Sequence, residues 1–149
     1  LGVQTLLSVE GFQYETLSST QVKKKCLNDE DRVYKEIIIN YDDKKRKLNE
    51  THEFSVGWMR IGKNYTYDRS GNLIGQSYTS NAGGNTNERS FYEYDDKNNL
   101  LSEKKFNNDQ LTIETSYLYD ESFSLLRSQL ERSHTGNYIG ITKFSCELY

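Results

Sequence analysis

Four Tyr-Asp pairs punctuate this chain at nearly even intervals: Tyr41-Asp42, Tyr67-Asp68, Tyr94-Asp95 and Tyr119-Asp120, spaced 26, 27 and 25 residues apart. A fixed period of this length marks a tandem repeat of one supersecondary unit. Two positions before each Tyr stands another apolar or aromatic residue, namely Ile39, Tyr65, Tyr92 and Tyr117. In a strand, residues i and i+2 share a face. Each repeat therefore brings one strand with a stacked pair on one side.

A polar turn and a leucine follow each pair. Tyr67-Asp68-Arg69-Ser70-Gly71-Asn72-Leu73 is the clearest copy. Asp suits the first position of a type I turn, and Gly the fourth, where φ is positive. In Tyr94-Asp95-Asp96-Lys97-Asn98-Asn99-Leu100 the Gly position holds Asn98, the next best residue for that conformation. The first copy, Tyr41 to Leu48, is one residue longer to its leucine, and the fourth has Phe123 at the Gly position. Phe is poor at positive φ, so the fourth turn is expected to differ.

Between turns the chain must return. Ser102–Phe106, a tight turn at Asn107-Asn108-Asp109, and Gln110–Tyr119 read as a hairpin, because Leu111, Ile113, Thr115, Tyr117 and Tyr119 alternate with period two. Gln21–Leu27 and Arg32–Tyr41, around Asn28-Asp29-Glu30-Asp31, read as another. Tyr138–Leu148 reads as a final strand, and Asn81–Asn87, with its two glycines, as the most flexible loop. The count is roughly 11 or 12 strands with short connections, hence an antiparallel meander. Composition agrees. The chain has 12 Tyr, no Pro and one alanine, Ala82, which favours strands over helices. The predicted fold is an all-β meander of tandem β-hairpins in one domain over 1–149. An open, curled sheet is favoured, with a closed up-and-down barrel as the alternative.

The segment Tyr65-Thr66-Tyr67-Asp68-Arg69-Ser70-Gly71-Asn72-Leu73 resembles the YD repeat, the unit of bacterial Rhs-type shells and teneurin shells. The other three copies match in part, and the resemblance covers about residues 37–130. It implies a small bacterial member of that family: a cell-envelope or secreted module of β-hairpins. Nothing corresponds to the protease or toxin segment of the large members.

The net charge of −3 is mild and the charges are interspersed, so nucleic acid is not an expected partner. No apolar run reaches the length of a membrane span. Leu1–Val9 lacks the charged start of a signal peptide.

No catalytic, cofactor-binding or metal-binding constellation stands out. His52 and Glu53 are neighbours in a probable strand and face opposite sides, the wrong geometry for a base and its orienting acid. His134 falls in a turn. Asp29-Glu30-Asp31 and Asp42-Asp43 lack the spacing of a calcium loop. The Tyr-Asp pairs are expected to be structural, with Tyr in cross-strand ladders and Asp capping turns. Their alternative role is a ligand platform for glycan or protein made of Tyr65, Tyr67, Tyr92, Tyr94, Tyr117 and Tyr119. Trp58, between Gly57 and Gly62, is expected as a core anchor, with a place on that platform as its alternative.

Cys26 and Cys146 are the two cysteines, and a disulfide between them is an open alternative to two free thiols. In an open meander their strands lie about nine steps apart, on the order of 43 Å at ~4.8 Å per step. A disulfide requires Cα atoms within ~7 Å, so a bridge would require the sheet to close. The expected function is a non-catalytic module, scaffold or weak binder of glycan or protein. The alternative is a small-molecule carrier with a barrel cavity. Homo-oligomers through edge strands are a further expectation, since an open sheet leaves unpaired backbone at both ends.

Overall fold

In the computed structural model, which describes residues 10–120 and 125–145, eleven strands form one antiparallel sheet in strict chain order. They are β1 (Gly11–Ser18), β2 (Gln21–Leu27), β3 (Val33–Tyr41), β4 (Lys47–Phe54), β5 (Arg60–Tyr67), β6 (Leu73–Ser80), β7 (Thr86–Tyr94), β8 (Leu100–Asn107), β9 (Gln110–Tyr119), β10 (Leu126–Ser133) and β11 (Tyr138–Lys143). The meander expectation is met. The closed barrel is not formed, because β11 pairs with β10 alone and the order ends there. Phe123 and Cys146, on which the fourth-turn and disulfide readings depend, lie outside the described residues. The chain divides into two compact units, one of Leu1–Asn64 with Thr79–Asn85, the other of Tyr65–Tyr78 with Thr86–Tyr149.

The turns after the first three Tyr-Asp pairs share one architecture. The Asp68 N–H donates to Asn72 O at 3.0 Å and the Gly71 N–H to Asp68 O at 3.2 Å. Gly71 has φ 99°. This is the three-residue hairpin loop, a type I turn followed by a left-handed residue. The Asp68 carboxylate accepts from the Gly71 and Asn72 amides at 2.7 and 2.8 Å, and from Asn72 Nδ2 at 3.0 Å. Asp95 repeats the pattern with Asn98 at φ 63°.

The first copy has the same turn. Asp42 bonds to Arg46, and Lys45 takes the left-handed position at φ 63°. The hairpin holds no inserted residue: Lys47 takes the place that Leu100 takes in the third copy. Lys47 stands opposite Tyr41 as Leu100 stands opposite Tyr94, and a register shift follows in both hairpins. Leu48 therefore occupies a bulge and is exposed, as is Leu101 in the third copy. The same turn also appears without a Tyr-Asp pair, at Asn28, whose Oδ1 accepts from Glu30 and Arg32. Asp31 is its left-handed residue, at φ 58°.

These caps have a pH signature. The Asn99 side-chain bond, working against burial and with the Asn99 and Lys97 amides, holds the Asp95 carboxyl below its ordinary range. A lowered folded pKa gives stability that is present above the unfolded value, about 3.9, and lost as pH falls through the folded one. Asn28 demonstrates that an amide can head this turn. Asp95→Asn should therefore keep the hairpin while making the acid limb of the stability-pH curve shallower below about pH 4. Chemical denaturation at a series of pH values checks this; an unchanged acid limb would contradict it.

In the first unit, one sheet face carries the apolar cluster of Cys26, Ile37 and Ile39, packed by Tyr34 and Tyr41. Cys26 is a free thiol with no solvent exposure. The opposite face carries an amide ladder. Gln21 Nε2 donates to Asn40 Oδ1 at 2.8 Å, and Asn40 Nδ2 to Asn49 Oδ1 at 2.6 Å.

Among the described residues of the second unit, the buried side chains are polar: Ser90, Thr115 and Ser133. They share a face, as the pairs Ser90↔Lys105↔Ile113↔Ser133 establish. Short side chains there lie beneath long neighbours such as Tyr92, Tyr117 and Lys105.

Candidate functional site

The tyrosines expected as a platform are brought together by period two. Tyr92 and Tyr94 on β7, and Tyr117 and Tyr119 on β9, flank β8, which places Glu103 directly opposite Tyr92. Glu103 also faces Thr115, which in turn faces Glu131. Tyr65 and Tyr67 end β5 in the same unit. All six rings are half-buried, and Tyr65 and Tyr67 are engaged with neighbours.

The electrostatics centre on Glu103. Its carboxylate is mostly covered and pairs with Lys105 at 3.4 Å. Burial raises the Tyr92 phenol; a Ser90 hydrogen bond works against this, and the Glu103 charge adds to it. Burial likewise raises Tyr94, with the Asp68 and Glu103 charges contributing. Burial, Glu103, Tyr119 and Glu131 raise Tyr117. Phenols with raised pKa stay protonated and offer their O–H groups as hydrogen-bond donors.

One of these donors is visibly committed. Tyr94 OH donates to the backbone carbonyl of Leu73 at 2.9 Å. Leu73 leads the return strand of the preceding repeat, so the tyrosine of one repeat ties down the hairpin of another. The turns are linked in the same way, since Asn72 Nδ2 donates to Asn98 Oδ1 at 2.8 Å.

Trp58 is not the core anchor expected of it. Its side chain is 93% exposed. The reason is local: Gly57 and Trp58 both take positive φ, at 85° and 54°, in the tight β4–β5 turn, where a side chain projects away from the sheet. Its carbonyl accepts from Asn81 Nδ2 at 2.9 Å. It belongs to the first unit, and the six tyrosines to the second.

A charged cluster escaped the sequence reading. Glu50 is buried on the apolar face of the first unit, and His52 Nε2 lies 3.1 Å from its carboxylate. Lys47 forms a close ion pair with it, and Lys63 Nζ is 3.9 Å away. The signal was present as Glu50-x-His52, the i, i+2 spacing that shares a strand face. The adjacent Glu53 drew attention instead; it pairs with Arg60.

A shallow groove of about 280 Å³ lies in the second unit, between Arg89 and Ser90 on β7, Lys105 to Asn107 on β8, and Thr112 on β9. Ligand pockets usually start near 300 Å³ and are mostly apolar. Phe106 is the sole aromatic lining this groove, and the rest of its lining is polar or charged. Among the described residues, no three His, Cys, Asp or Glu side chains are grouped to hold a metal ion. No helix among them is long and apolar enough to cross a membrane.

Fold and site together define an all-β protein built as a meander of hairpins, with a tyrosine-lined face in its second unit. No known family model matches the chain, and no curated protein matches it.

Proposed function

We propose that this chain is a non-catalytic scaffold module of the YD-repeat type, serving a cell-envelope or secreted protein. The observation that carries this reading is the commitment of the repeat's own signature residues to structure. Tyr94 caps a carbonyl of the preceding hairpin, and Asp42, Asp68 and Asp95 each close a turn. Residues spent in this way explain a 26-residue period without a ligand. The envelope or secreted setting draws its support from the resemblance of Tyr65–Leu73 to the YD repeat, and from the same turn recurring at Asp42 and Asp95.

The test separates a scaffold from a glycan or peptide platform. Tyr94→Phe deletes the bond to Leu73 and leaves the ring. The scaffold reading expects a loss of about 0.5–1.5 kcal/mol in denaturant unfolding. It also expects the wild-type protein to give no saturable signal on a broad glycan and peptide array. Saturable binding that Tyr92, Tyr94 or Tyr117 substitutions abolish at unchanged stability would overturn it.

A further inference from the structure

β11, which ends the strand order among the described residues, has an unusual composition for an edge. β11 reads Tyr138-Ile139-Gly140-Ile141-Thr142-Lys143, with no proline and one charge, at its end. Natural edges are blunted by inward charges, prolines or bulges. The β10–β11 register runs from Ser128↔Lys143 to Ser133↔Tyr138 without a shift. Ile139 and Ile141 are 59% and 63% exposed, and Ile141 stands beside Leu130, itself 41% exposed.

The outward backbone groups of β11 come from alternate residues. The Phe144 N–H donates inward, to Arg127 O, at 2.9 Å. Orientation alternates along a strand. Even-numbered residues of β11 therefore bond to β10, while Ile139 and Ile141 turn their N–H and C=O groups outward. The outward polar groups and the exposed apolar side chains belong to the same two residues.

We propose that β11 is the docking edge for a second copy of this chain, paired antiparallel about a twofold axis at Gly140. In that register Ile139 faces Ile141 of the other copy twice, giving about four main-chain hydrogen bonds from the outward groups. On one face, Leu130 and Ile141 of one copy continue into Ile139 of the other. Tyr138 meets Thr142 on the opposite face. The two Lys143 charges fall at opposite ends, so no like charges confront each other.

The neighbouring registers are worse. An axis at Ile141 sets Ile139 against Lys143, and an axis at Ile139 sets Ile141 against Asn137, a turn residue at φ 53°. An antiparallel self-pair also closes, as most homo-oligomers do, whereas β11 against the β1 edge of another copy would be head-to-tail and polymerise.

The axis itself offers the decisive probe. Gly140 would face its own copy across a non-hydrogen-bonded pair, where Cα atoms are about 4.5 Å apart, within disulfide range. A Cβ at Gly140 meets nothing within 4 Å, so a cysteine fits.

Sedimentation equilibrium of the whole chain is expected to give twice the monomer mass. Ile141→Lys, at an exposed position, should give the monomer with an unchanged circular dichroism spectrum. In a Cys146→Ser background, Gly140→Cys should oxidise to a covalent dimer and Thr142→Cys should not. A monomeric wild type, a ladder of higher oligomers, or a dimer that survives Ile141→Lys overturns the proposal. Cross-linking at Thr142→Cys but not Gly140→Cys overturns the register.

Discussion

Ile37→Ala should lower the stability of the first unit by about 2–4 kcal/mol, the range for removing a large aliphatic side chain from a packed site. The unit has few substitutes for it. Among the described residues its buried apolar side chains are Cys26, Leu27, Ile37 and Ile39, and Ile37 lies in the cluster with Cys26 and Ile39. Ile37 also occupies the middle of a cross-strand row, between Lys24 on β2 and His52 on β4. Truncation removes contacts on both sides at once, and the hydrogen-bonded backbone of β2 and β4 resists closing the gap. Leu118→Ala is the matched control. Leu118 is 64% exposed, and surface changes of that kind usually stay within about 0.5 kcal/mol. Denaturant unfolding of both variants, read at the midpoint with the slope checked for constancy, decides the point. A loss under about 1 kcal/mol for Ile37→Ala would mean that the cluster does not anchor the unit.

The strands were legible because their physics is local. Period two in Leu111 to Tyr119 places β9 at Gln110–Tyr119, and the Asp-to-Gly turn chemistry of Asp68-Arg69-Ser70-Gly71 fixes the loop after β5. Asn108 and Asp109, both at positive φ, make the tight β8–β9 turn that their residue types favour. What local chemistry could not decide is that Lys45 would take the left-handed place. Lys45 is a poor left-handed residue, yet it adopts that conformation because Asp42 caps the turn from outside it. The bulge that follows is common to both hairpins, with Leu48 standing where Leu101 stands in the third copy.

Burial was the harder property to read. In a one-sheet protein a residue is covered by its neighbours across strands, and register sets who those neighbours are. That is why Thr115 is nearly inaccessible while Leu118, three residues on, stands in solvent. Trp58 misled for the same reason. Its size argues for the interior, but the turn it occupies gives it no facing strand.

Glu50 is the case in which a residue's type argues most strongly against its position, and its replacement should be the second large effect. Burial opposes its charge, but the hydrogen bonds from Lys47 and His52 and the charges of Lys47 and Lys63 prevail, and its carboxyl is held below the ordinary 4.5. Glu50→Gln keeps the shape and removes the charge. A fully buried pair broken on one side costs about 3–5 kcal/mol. Here Lys47 and Lys63 reach solvent and are partly rehydrated, so about 1–3 kcal/mol at neutral pH is expected. The sign with pH is fixed. A carboxyl whose folded pKa is depressed contributes stability above its unfolded pKa and loses that contribution as pH falls through the folded one. The difference between wild type and Glu50→Gln should therefore be largest near neutrality and should shrink below pH 4.5, the ordinary value. The turn aspartates titrate in both proteins and cancel in the comparison. Paired unfolding curves from neutral to acid pH measure the difference directly. A gap that stays constant down to the acid limit would show that the carboxylate's charge is not what holds the strand pair, and that Glu50 matters for its shape alone.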